Sequence, residues 1–185
     1  DTKLISWLLG QIRDSSPLQN RSVELLSYIA PREDIYESLN DWSLIPSYTS
    51  SFAASKATTE STLDGVEILL QVVAKFRKRQ PSDETEVELL ENAGVVVASI
   101  LAFSPKSLQA FVKAQGIALV VRCLKERVYA GAVTLKWLDF APANSNDRMY
   151  RQACERMVEA GALKYIFPIF QNKHLPKALS DDRKE

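Results

Sequence analysis

The amino-acid sequence predicts an all-α fold in which similar helical units stack side by side. Apolar residues recur at the i, i+3, i+4, i+7 spacing of an amphipathic helix, from Ile5 and again after Gly65, Gly116 and Gly161. Residues 87–103 are predicted to form a helix that is apolar on nearly all sides, which is typical of a helix buried between neighbours. Together these observations indicate units that bury their apolar faces only by stacking.

The first two helices are predicted over residues 3–13 and from Pro17 to Ile29. The first carries its apolar side chains on one face at helical spacing. Ser16 is predicted to cap the second helix, with Pro17 at its first position, and Pro31 is predicted to end it.

Residues 31–62 are predicted to be the irregular part of the chain. A short helix is predicted over 32–42, and Pro46 is expected to stop it. Nine of the sixteen residues in 47–62 are Ser or Thr, whose side chains compete for backbone hydrogen bonds. We therefore expect a solvated connection there, with a phosphorylation-controlled loop as the alternative.

The helical pattern then returns at near-equal intervals. Val66 lies 51 residues before Ile117, which lies 45 residues before Ala162. Periods of roughly 40–47 residues are typical of armadillo and HEAT repeats. The predicted units of this single array are 1–30, 31–103 with its insert 31–62, 104–141 and 142–173, the first and last incomplete, followed by a tail at 174–185.

Each unit is predicted to contain a short helix, a glycine corner, a second helix, a turn and a longer third helix. Glycine suits the corners at Gly116 and Gly161 because it tolerates positive φ and close backbone approach. Three helices per unit is the armadillo arrangement, whereas two would indicate HEAT or tetratricopeptide repeats. The predicted fold is thus an all-α, armadillo-type right-handed superhelix of about three repeats with incomplete ends.

Several short motifs occur in an order that resembles one armadillo family. They are LDGVEILLQVVAKFRKRQPS, ETEVELLENA, FVKAQG, TLKWLDFA and IFPIF. This order resembles the β-catenin-like protein 1 family, nuclear armadillo proteins associated with the nineteen complex of the spliceosome. The resemblance covers residues 63–173 well and 3–30 loosely, and the insert departs from the family's more compact pattern.

The resemblance implies a nuclear adaptor for pre-mRNA splicing. Family members bind basic, nuclear-localisation-like segments of splicing factors and, in vertebrates, a cytidine deaminase. The expected partners are therefore other proteins, without a membrane, a small-molecule substrate or direct contact with nucleic acid. The alternatives are an armadillo module of a transport or ubiquitin-ligase scaffold, and an RNA-binding α-solenoid.

Composition and motifs argue against catalysis. The 23 Lys and Arg residues balance 23 Asp and Glu residues, so no global field attracts nucleic acid or anionic lipid. His174 is the single histidine and, with Cys123 and Cys154, falls short of a zinc site. We predict no enzyme activity, no metal and no cofactor, and we expect both cysteines to be small buried side chains. The three tryptophans, Trp7, Trp42 and Trp137, are predicted to lie in the core or at a seam.

Armadillo proteins that hold extended peptides typically use a Trp, and an Asn four residues later, on each third helix. Alignment of the third helices places other residues at these positions, namely Glu24 with Tyr28, Val95 with Ser99, and Lys136 with Phe140. No Trp–Asn pair occurs there, so a grip of the importin-α kind is not predicted. Partner contacts must come from other side chains on these helices.

Charge is segregated around the turn after residue 79. Lys75, Arg77, Lys78 and Arg79 end one predicted helix, and acidic residues begin the next, which suits both helix dipoles. The basic group could alternatively bind RNA phosphate. On the acidic side, side chains at i, i+4 and i+7 share one face and would attract Lys and Arg of a basic segment. The predicted partner-binding residues are Glu24, Tyr28, Glu84, Glu88, Glu91, Ser99, Lys136 and Phe140.

Overall fold

The computed structural model describes residues 2–31, 65–103, 105–139 and 148–176, and over these ranges it is helical without a strand. The predicted all-α, armadillo-type class is therefore confirmed. The helices are α1 (Thr2–Arg13), α2 (Gln19–Ile29), α3 (Gly65–Ala74), α4 (Glu84–Phe103), α5 (Pro105–Lys113), α6 (Gly116–Glu126), α7 (Tyr129–Leu135) with a 3-10 turn (Lys136–Asp139), α8 (Arg148–Glu159) and α9 (Leu163–Phe170).

The corner between α1 and α2 differs from the sequence prediction. Helix α2 begins at Gln19, and its N-cap is Leu18, which makes no side-chain cap. The Ser16 hydroxyl instead accepts a hydrogen bond from the Leu18 N–H at 3.1 Å and donates one to Gln11 Oε1 at 2.8 Å. The predicted cap at Ser16 and start at Pro17 are wrong because Ser16 stabilises the turn rather than the helix terminus.

Helix α4 is the central element of the stack. It packs against α2 and α3 on one part of its surface and against α5, α7 and the 3-10 turn on another. Its fully buried residues share one broad face rather than lying on nearly all sides as the apolar pattern predicted. They are Leu90, Ala93, Val96, Val97, Ile100 and Leu101.

The seam between α4 and α7 is unusually close. A Cβ at Gly94 would lie 2.1 Å from Val133 Cγ1, so only glycine permits this approach. The Trp137 indole N–H donates to the Gly94 carbonyl at 2.9 Å, and its ring meets Phe111 edge-on with centroids 5.8 Å apart. Trp137 is thus a buried seam residue as predicted, whereas Trp7, which is 50% exposed, is not.

The two glycine corners work by different means. Gly161 has a φ of +74°, as predicted for a sharp corner. At the other corner Gln115, not Gly116, takes the left-handed conformation, with a φ of +63°. Gly116 is needed because an added Cβ would meet the Phe111 ring at 2.2 Å, so close packing rather than positive φ explains this glycine.

Other sequence predictions have mixed outcomes. Cys123 is buried as expected, but Cys154 is only half-buried, and both are free thiols. The third helix of the predicted unit 104–141 ends at Leu135 and continues as the 3-10 turn. The helix predicted over 32–42 with its Trp42, the connection 47–62, and Phe140 lie outside the described residues. The division into units stays a prediction.

No single helix of the described ranges is long and apolar enough to cross a bilayer. Only α5 and α6 taken together reach that length and composition, and these two helices are bent by 67°.

The central position of α4 leads to a stability prediction. Leu90→Ala should lower the free energy of unfolding by about 2–5 kcal/mol, because it leaves a cavity at a fully buried position. Val95→Ala, on the same helix but 40% exposed, is the matched control and should cost less than about 1 kcal/mol. Chemical denaturation followed by circular dichroism measures both, and a small, local loss for Leu90→Ala would contradict the continuous stack.

Candidate partner-binding surface

One stripe of α4 is left uncovered by its neighbours. It runs along a single face at spacings of four, three, four and four residues. Its first four members are exposed and the fifth is half-buried. The stripe consists of Glu84, Glu88, Glu91, Val95 and Ser99.

Helix α2 borders this stripe on one side. The Asn20 side-chain amide donates to the Thr85 carbonyl at 3.0 Å, which ties the start of α2 to the start of α4. Tyr28 is 71% exposed, and Glu24 is half-buried and forms a salt bridge with Arg21 at 2.7 Å. The hydrogen bond and charge of Glu24, with a further contribution from the charge of Glu88, raise the pKa of Arg21.

Helix α7 borders the stripe on the other side. Tyr129 is held at two points, because its N–H donates to Gln80 Oε1 at 2.9 Å and its hydroxyl donates to Glu91 Oε1 at 2.5 Å. The phenol therefore orients the Glu91 carboxylate. Lys136 is the first residue of the 3-10 turn after α7 and is exposed.

Of the eight predicted residues, the structure places two on α2, four on α4 and Lys136 in the 3-10 turn that follows α7, whereas Phe140 lies outside the described residues. Glu24 and Glu88 both act on Arg21, and Glu91 meets α7 through Tyr129. Sequence reasoning missed Arg21 and Tyr129. The i, i+3 spacing from Arg21 to Glu24 could have indicated the first, whereas no local pattern links Tyr129 to Glu91, 38 residues apart.

The charge boundary near residue 79 has a structural role. Arg79 forms two parallel hydrogen bonds with Glu86, at 2.6 and 2.7 Å, and its guanidinium lies over the Phe76 ring at 4.5 Å. Asp83 Oδ1 accepts from the Glu86 N–H at 2.9 Å, which caps α4. The Arg79 hydrogen bonds, followed by the Ser82 N–H, lower the pKa of Glu86 to about 2.

This arrangement separates structural from available carboxylates. Glu86 and Asp83 serve the helix terminus, whereas no salt bridge joins Glu84 or Glu88 to another residue of the described part. The exposed stripe therefore retains negative charge that a cationic partner could meet.

Side chains that could bind a metal ion are dispersed over the described residues. Within the described ranges, no three His, Cys, Asp or Glu side chains lie close enough to hold a metal ion. His174 is exposed in the segment after α9. Burial raises the pKa of the Cys123 thiol to about 12, so it is not a ready nucleophile.

The whole chain, not only this surface, matches a family of known proteins. The model of the family described as "Catenin-beta-like, Arm-motif containing nuclear" matches residues 1–185. The chain belongs to this family. The resemblance found in the motifs is therefore confirmed, and so is the predicted nuclear location.

Curated relatives in this catenin-β-like family share about a third of the aligned residues. The β-catenin-like protein 1 homolog of Schizosaccharomyces pombe is 33% identical over 108 residues, and β-catenin-like protein 1 of Homo sapiens and of Mus musculus is 32% identical over 111 residues. Each match covers 58% of this chain and 18% of the relative. The chain thus matches under a fifth of the length of these relatives, and the family to which it belongs is described as nuclear and as containing armadillo motifs.

The Arg79–Glu86 pair gives a pH-dependent prediction. The pKa of Glu86 falls from its ordinary 4.5 to about 2 on folding, so its contribution to stability is present above pH 4.5 and is lost as the pH falls toward 2. Glu86→Gln should lower the melting temperature at pH 7, and its difference from the unaltered chain should shrink between about pH 4.5 and 2.

The matched control is Glu84→Gln, two residues earlier in the same helix turn and without a salt bridge. It should change the melting temperature less at every pH. A difference for Glu86→Gln that stays constant from pH 7 to pH 2 would show that the ion pair is not its source.

Proposed function

We propose that the chain binds a basic, nuclear-localisation-like segment of a partner protein on the surface of α2, α4 and α7. The observation that carries this proposal is the uncovered stripe of α4, where Glu84, Glu88 and Glu91 lead to exposed Val95. Exposed carboxylates beside an apolar side chain match the chemistry of Lys and Arg, whose long stems are apolar and whose heads are cationic.

The dimensions of the stripe suit a short extended segment. From Glu84 to Val95 the helix rises roughly 16 Å at 1.5 Å per residue. About five residues of an extended chain, at roughly 3.3 Å each, cover that length. Alternate side chains of such a segment would face α4, and those between would reach α2 or α7.

Neighbouring residues would orient and limit the segment. Tyr28, 71% exposed, offers an aromatic face to a cation, and Tyr129 fixes the Glu91 carboxylate. Arg21 already forms a salt bridge with Glu24. A cation of the partner segment must therefore displace Arg21 or pair with Glu88 instead. Lys136 repels basic residues and marks the end of the acidic region.

We further propose that this binding serves pre-mRNA splicing and involves no catalysis. The motif resemblance to spliceosome-associated armadillo proteins supports the first part. The RNA-binding alternative is weakened because part of the basic group near residue 79 is engaged within the chain. Arg79 pairs with Glu86, and Lys75 donates to Ser15 Oγ.

The direct test is a double charge reversal on α4. Glu88→Lys with Glu91→Lys should weaken the binding of a nonapeptide rich in Lys and Arg by about tenfold or more, because attraction becomes repulsion. Isothermal titration calorimetry at fixed salt measures the affinity. Circular dichroism should show an unchanged fold, since both side chains are exposed.

The matched control is Glu155→Lys with Glu159→Lys, two exposed residues of α8 that change the net charge equally. This variant should keep the affinity of the unaltered chain. Equal weakening of peptide binding by both pairs of substitutions would mean that only net charge attracts the peptide. If the α4 pair does not weaken binding, the proposed surface is wrong.

The splicing role is tested separately in nuclear extract. The unaltered chain should retain splicing factors, identified by mass spectrometry, and the Glu88→Lys, Glu91→Lys variant should lose them. Retention of other nuclear proteins only, with peptide binding intact, would contradict the splicing role and leave the surface in place.

A further inference from the structure

A groove lies between α3 and α6, away from the stripe on α4. Helix α5 packs against both α3 and α6 and leaves a cavity of about 490 Å³ between them. Its centre is apolar, formed by buried Leu70, half-buried Ala74 and Leu119, and exposed Ala118. A cavity of this size holds a few side chains rather than a folded domain.

The two ends of the groove differ in charge. Glu67 stands in the first turn of α3, roughly 10 Å of helical rise before Ala74, and Arg77 follows three residues after the end of that helix. Arg122 of α6 lines the same cavity. The groove is therefore apolar in the middle and can present opposite charges at its two ends.

Arg77 and Arg122 differ from the arginines that serve the fold. Arg13, Arg21 and Arg79 each form a salt bridge with a nearby carboxylate. Within the described ranges no carboxylate pairs with Arg77 or Arg122, and one N–H of Arg77 donates to the Ala74 carbonyl at 2.8 Å. Both guanidinium groups therefore retain donors for an external acceptor.

Arg77 and Arg122 both lie near the buried Cys123. Both charges act on the buried Cys123 thiol, where they oppose the rise in pKa that burial causes. Both arginines also line the groove. Gln71 and Gln115, both exposed, line the remaining wall and can bond to a peptide main chain.

We propose that this groove binds an acidic–aliphatic segment of a second partner protein. An aliphatic side chain would cover Leu70 and Leu119, and a neighbouring carboxylate would bridge Arg77 and Arg122, whose planar forks match carboxylate geometry. Glu67 at the other end favours a segment whose acidic residues lie on one side of the aliphatic residue only.

RNA fits this groove less well than such a segment. A phosphate backbone carries charge along its whole length and would pass Glu67, which repels it. The apolar centre offers it no aromatic side chain for base stacking. The groove shares no residue with the stripe on α4, so the chain would hold a basic and an acidic segment at separate places.

Selection from a displayed library of random heptapeptides, with the whole chain as bait, tests this proposal. Selected sequences should include a class with Asp or Glu next to Leu, Ile or Val. Peptides of this class should bind the Arg77→Glu, Arg122→Glu variant at least about tenfold more weakly. Ala118→Phe, which fills the groove without changing charge, should also weaken them.

Two controls separate this site from the rest of the surface. Lys106→Glu with Arg156→Glu changes the net charge equally at exposed positions outside the groove and should leave binding unchanged. Glu88→Lys with Glu91→Lys should also leave binding of the acidic–aliphatic peptides unchanged. A failure of the basic-segment site can therefore be distinguished from a failure of this groove. The proposal is overturned if no acidic–aliphatic class is selected, if the arginine variant binds it normally, or if a decamer RNA competes for the groove.

Discussion

The structure depends on the burial of α4 between α2 and α7. Gly94 lets α7 approach so closely that any larger residue would collide with Val133. The Trp137 indole then spans the seam and satisfies the Gly94 carbonyl. Since a buried donor or acceptor without a partner is costly, this hydrogen bond and the glycine beside it specify one register of the two helices.

That burial also determines which residues can meet a partner. Most apolar side chains of α4 pack against its neighbours, so the exposed stripe is mainly acidic, with Val95 as its apolar member. Cross-chain hydrogen bonds from Asn20 to α4 and from Tyr129 to Glu91 then hold α2 and α7 beside it. The interaction surface is thus the uncovered remainder of the core-forming helix.

The sequence predicted what depends on local periodicity and missed what depends on distant contacts. The apolar pattern of 87–103 correctly indicated a helix packed between neighbours, although its fully buried residues share one broad face. The spacing of glutamates correctly placed three of them on one face. At Gly116 the expected positive φ is absent, whereas the expected close approach is present, because the Phe111 ring packs against this glycine. The contacts of Tyr129 with Gln80 and Glu91 join residues 49 and 38 positions apart, and no single-sequence pattern records such pairs.

The central claim, that the uncovered stripe of α4 receives a basic segment, is tested most directly by methyl NMR. Val95 supplies the apolar methyl groups of the stripe, whereas Leu119 lies in the α3–α6 groove and Val158 on α8. Titration with the nonapeptide rich in Lys and Arg should shift the Val95 signals and leave those of Leu119 and Val158 in place. The account is contradicted if saturating peptide shifts the signals of Leu119 or Val158 and leaves those of Val95 unchanged.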